Sequence, residues 1–162
     1  KIDIRDLSNY DGYKLDWYIG WFLDINFSRY SKINEYINNS DDYIGSIGNS
    51  FYYYNGYLVI EIYALTSLCD DFENIVISTA NGISDDDREL FELVKKNSLT
   101  SLSVRKDSIS NYVRPIEDNY ITFDYAEVDD IDVIKNFSYD DYKKVINGID
   151  FSYYSVFYRK KK

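Results

Sequence analysis

Tyr13-Lys-Leu-Asp-Trp-Tyr-Ile-Gly-Trp-Phe-Leu-Asp-Ile-Asn-Phe27 is the stretch on which the reading of this chain turns. It alternates without a break. Tyr13, Leu15, Trp17, Ile19, Trp21, Leu23, Ile25 and Phe27 fall on one side, and Lys14, Asp16, Tyr18, Gly20, Phe22, Asp24 and Asn26 on the other. Period two over this length predicts a long strand, with Gly20 at a bend or bulge. A helix is the rival, because Leu15, Ile19, Phe22 and Leu23 also share a helical face. The abundance of β-branched and aromatic residues favours the strand.

Working outward, Ser28 fits a helix N-cap, with Tyr30, Ile33, Tyr36 and Ile37 following at helical spacing. Further on, Asn55-Gly56 separates two β-rich runs between Phe51 and Tyr63, the strongest short-range hairpin signal. A two-residue turn sets Tyr54 opposite Tyr57 and Tyr53 opposite Leu58. One face then carries Phe51, Tyr53, Leu58, Ile60 and Ile62, and the other Tyr52, Tyr54, Tyr57, Val59, Glu61 and Tyr63.

Phe72 to Thr79, Leu99 to Val104, Tyr120 to Val128 and Phe151 to Tyr158 read as further strands, with Pro115 in the loop between the second and third. Ser84-Asp85-Asp86-Asp87 opens a helix that turns Leu90, Phe91 and Val94 inward and ends at Lys95-Lys96, acids first and bases last as the helix dipole favours. Asp129 to Asn136 fits a short helix. Ser138-Tyr-Asp-Asp141 resembles a capping box with Asp in place of Glu, and Gly148 suits the helix end. The expected fold is a single α+β domain over residues 1–158, mainly antiparallel sheet with about three to four helices. A basic tail, Arg159-Lys-Lys-Lys162, follows it.

The chain has 162 residues, enough for one core. It contains no His and one Cys, which excludes Ser-His-Asp or Cys-His catalysis, His-ligated metals and cysteine-based clusters. No phosphate-binding loop or EF-hand pattern is present, and no cofactor is expected. The longest apolar stretches are about half a membrane span, and the opening residues lack the apolar core of a signal peptide. Cys69 suits a reducing compartment, so the expected location is the cytoplasm.

Acids number 28 against 18 bases, for a net charge of −10, with 21 Asp to 7 Glu. The charge is uneven. Residues 70–92 hold Asp70, Asp71, Glu73, Asp85, Asp86, Asp87, Glu89 and Glu92 against Arg88 alone, a net −7. Residues 117–141 hold Glu117, Asp118, Asp124, Glu127, Asp129, Asp130, Asp132, Asp140 and Asp141 against Lys135, a net −8. The other 114 residues sum to +5. Helix caps and turns account for single Asp residues, but not for blocks of this size.

Such a surface argues against binding nucleic acid and for docking a basic protein. The expected contacts are the eight acids of residues 70–92 together with Asp129, Asp130, Asp132, Asp140 and Asp141, with Tyr52, Tyr54 and Tyr57 supplying aromatic area. The concrete expectation is an inhibitor of the immunity-protein or antitoxin kind, which covers the cationic groove of a basic toxin such as a nuclease. One alternative is a phage or plasmid inhibitor that mimics the phosphate array of DNA. Another is a hydrolase using two carboxyl groups drawn from Glu61, Glu73, Glu127, Asp124 and Asp16.

Overall fold

The computed structural model describes residues 2–3, 11–27, 44–52, 57–64, 74, 76–79, 81, 87–105, 109–124, 130–152 and 154–155. The quoted stretch is a helix, α1 (Gly12–Phe27). Asp11 caps it: the Asp11 carboxylate accepts from the Tyr13 and Lys14 amides at 3.0 and 3.4 Å. The expected strand is overturned by the way α1 is buried. Tyr13, Leu15, Tyr18, Ile19, Trp21, Phe22, Leu23, Ile25, Asn26 and Phe27 are all inside. They cover most of the helix circumference, so no single apolar stripe survives to show a period of 3.6. The alternation is a by-product of a largely apolar helix interrupted by Lys14, Asp16, Gly20, Asp24 and Asn26.

The same correction applies further along the chain. Residues 76–79, within the expected strand 72–79, are helical. The helix begun near Asp87 runs on as α2 (Arg88–Arg105), through the expected strand 99–104. Three of its four Ser and Thr side chains bond back within the helix. Ser98, Thr100 and Ser103 hydroxyls donate to the carbonyls of Val94, Lys96 and Leu99 at 3.0, 2.9 and 2.9 Å. α3 (Ile109–Phe123) contains Pro115 and takes in residues 120–123, which were expected to begin a strand. Asp124 closes it in the left-handed region, φ 52°, a conformation that Asp tolerates. Phe151 and Ser152 lie in a turn, and Tyr154 makes only an isolated bridge.

Helices α4 (Asp130–Lys135) and α5 (Tyr139–Asn147) lie where local rules put them. The Ser138 hydroxyl accepts from the Asp141 amide at 3.2 Å. Gly148 ends α5 with its amide on the Val145 carbonyl, at φ −76°, so the stop does not depend on a glycine-only conformation. Ser138→Ala should therefore cost about 1 kcal/mol in urea unfolding, with Ser138→Asp restoring most of it.

Strands form one small antiparallel sheet, β1 (Ile2–Asp3), β2 (Ile44–Tyr52) and β3 (Tyr57–Ala64), in the order β1-β3-β2. Tyr52 opposes Tyr57 and Phe51 opposes Leu58, leaving residues 53–56 between the strands. This corrects the expected register, which set Tyr54 opposite Tyr57 and Tyr53 opposite Leu58; the turn itself lies outside the described residues. The α+β class with a mainly antiparallel sheet is overturned as well, because the described chain is mostly helical and its core is built on α1.

α1 packs against α2, α5 and β2. Trp21 lies at the centre, its ring 5.3 Å from Phe91, 6.0 Å from Tyr18 and 6.0 Å from Phe137. Its indole N–H donates to the Ser98 hydroxyl at 2.9 Å. Tyr139 and Tyr142 of α5 close the cluster over Phe91, at 5.5 and 5.1 Å. The helix expected after Ser28 and the basic tail lie outside the described residues.

Candidate functional site

Later residues of the two acid-rich blocks meet where α2 and α5 begin. Arg88, the first residue of α2, bonds the Asp140 carboxylate at 2.9 Å and lays its guanidinium over the Tyr139 ring at 4.7 Å. Next to it, Lys14 of α1 bonds the Asp141 carboxylate at 2.8 Å. That lysine also lies 5.6 Å from the Tyr18 and Phe137 ring centres. The Lys14 hydrogen bond, first, and that from Ser138 hold Asp141 below the usual carboxylate range. Both acids also sit in the first turn of α5, where the helix dipole favours negative charge.

Among the described residues, several acids of the expected binding surface are thus engaged within the molecule. Asp140 and Asp141 are exposed but ion-paired, and on α4 Asp132 pairs with Lys135 at 2.8 Å. Asp87 is only 3% exposed and faces inward. Burial, first, with the charges of Asp87 and Tyr139 beside it, pushes the Tyr142 hydroxyl far above the ordinary tyrosine range. That hydroxyl is buried with no hydrogen-bond partner among the described residues. Tyr142→Phe should be neutral or stabilising by up to about 1 kcal/mol in thermal unfolding, since it removes an unsatisfied buried group. A loss of that size would show that the hydroxyl has an acceptor.

Glu89 and Glu92 of α2 are different. They are exposed and have no ion pair among the described residues. Beside them Leu90 and Leu93 are 38% and 53% exposed. Leu90 was expected to point inward. Its neighbour Phe91 takes that role, and the helix places Leu90 about 100° round from it. Neither leucine is legible from the sequence as part of the site, nor are Lys14 and Arg88 as partners of α5. The ion pairs join residues 127 and 52 positions apart, beyond the reach of local pattern.

Asp70, Asp71, Glu73, Asp85, Asp86, Asp129 and Tyr54 lie outside the described residues. Asp130 begins α4, and Tyr52 and Tyr57 end β2 and begin β3. The side chains of these three are likewise outside.

Among the carboxylates considered for hydrolysis, Asp16 is partly buried in α1, and burial raises its pKa to about 6. The other acid of α1 is Asp24, a little over two turns on and about 80° round the helix. Eight residues of helix separate them by about 12 Å, beyond the roughly 5–9.5 Å that glycoside hydrolysis uses. Asp124 is exposed at the end of α3. Glu73 and Glu127 lie outside the described residues, as does the side chain of Glu61. Among the described residues no group of three or more His, Cys, Asp or Glu could hold a metal ion, and no helix is long and apolar enough to cross a membrane. No family model, no curated protein and no solved structure matches this chain.

Proposed function

We propose that this chain is a binding protein that neutralises a basic partner, in the manner of an immunity protein or antitoxin that covers a cationic toxin domain such as a nuclease. The observation that carries the reading is the Arg88–Asp140 ion pair. It brings the start of α2, from one acid-rich block, beside the start of α5, from the other. The molecule that carries this surface has a net charge of −10, which attracts a cationic partner at long range. Glu89 and Glu92, exposed and without an ion pair among the described residues, offer charge there, and Leu90 and Leu93 offer apolar contact beside them. Long-range attraction would speed encounter, and the leucines would slow release. The partner's cationic substrate groove is what the acids would cover, and no reaction by this chain is required. The reading carries with it a cytoplasmic location, which suits the lone Cys69.

The test begins with affinity capture from the source cell and mass spectrometry of what co-elutes. The isolated partner should be basic and should bind more weakly as salt rises. Glu89→Lys together with Glu92→Lys should slow association about tenfold or more at low salt, with little change in the unfolding midpoint. An acidic partner, or association unaffected by salt, would overturn the proposal. An unchanged rate for the double variant would instead move the contact away from α2.

A further inference from the structure

We draw no further inference here: the strongest candidate, the exposed apolar stripe of Leu90, Leu93 and Val104 along the outer face of α2, carries nothing beyond the site already described, because nothing in the structure shows what covers it.

Discussion

Trp21→Ala should cost about 3–5 kcal/mol of folding free energy, the range for removing a large aromatic from a packed core. The indole is 2% exposed and touches rings from α1 itself, from α2 and from the turn before α5. Truncation opens a cavity where three segments meet, and neighbours anchored on different helices cannot all collapse into it. A domain of this size typically holds about 5–15 kcal/mol in total, so the variant is left marginal. The midpoint of thermal unfolding should fall by roughly 6–20 °C. Trp21→Phe separates the contributions. It keeps a ring but loses the bond to Ser98, whose hydroxyl still donates to Val94, so that bond accounts for only about 1 kcal/mol of the loss. An alanine variant that loses less than about 1 kcal/mol would mean that α1 is not the centre of the core.

The second large effect has the opposite sign. Asp16→Asn should stabilise the protein at neutral pH. Burial raises the Asp16 pKa from 3.8 to about 6 in the folded state. Between those values the folded state holds a proton that the unfolded state has already released, so stability falls as pH rises through the window. Above about pH 6 the full cost of ionising a partly buried carboxylate is present, at most about 3 kcal/mol by linkage. Asparagine removes that cost. Unfolding free energies of the two proteins should coincide near pH 3.5 and separate progressively up to pH 7. A constant difference across the whole range would sink this account.

Asp141 contributes in the other direction. Its pKa is depressed by Lys14, so its share of stability is present above the unfolded value and is lost as acid protonates it. The two acids therefore act on the acid limb with opposite slopes, and Asp16→Asn isolates one of them.

Legibility in the sequence followed the range of the interaction. Helices α4 and α5 were legible because their signals are local: Ser138 lies three residues from the amide it caps, and Asp140 and Asp141 sit in the first turn. Asn55-Gly56 marked the gap between β2 and β3, but the register depends on pairing across the sheet and came out differently. α1 was misread because tertiary burial on nearly all sides erased the helical period, leaving aromatic and β-branched content to point to a strand. The later part of α2 was misread because back-bonded Ser and Thr look like strand or turn residues in a linear pattern. For the candidate site, the clustering of acids was visible as composition. Which of them are spent internally was not, because that depends on Lys14 and Arg88 reaching α5 from distant parts of the chain.

The pairing of α1 with α5 also sets a timetable for synthesis. Lys14 and Tyr18 meet Asp141 and Ser138 across separations of 127 and 120 residues. At about 5–20 residues per second, α1 is made roughly 6–25 s before α5. Over that interval Tyr18 and Phe22 lack their C-terminal cover from Phe137, Tyr142 and Phe151. The nascent chain is thus most exposed to aggregation between the synthesis of α1 and that of α5, and a chaperone that holds apolar segments has its natural target in residues 13–27.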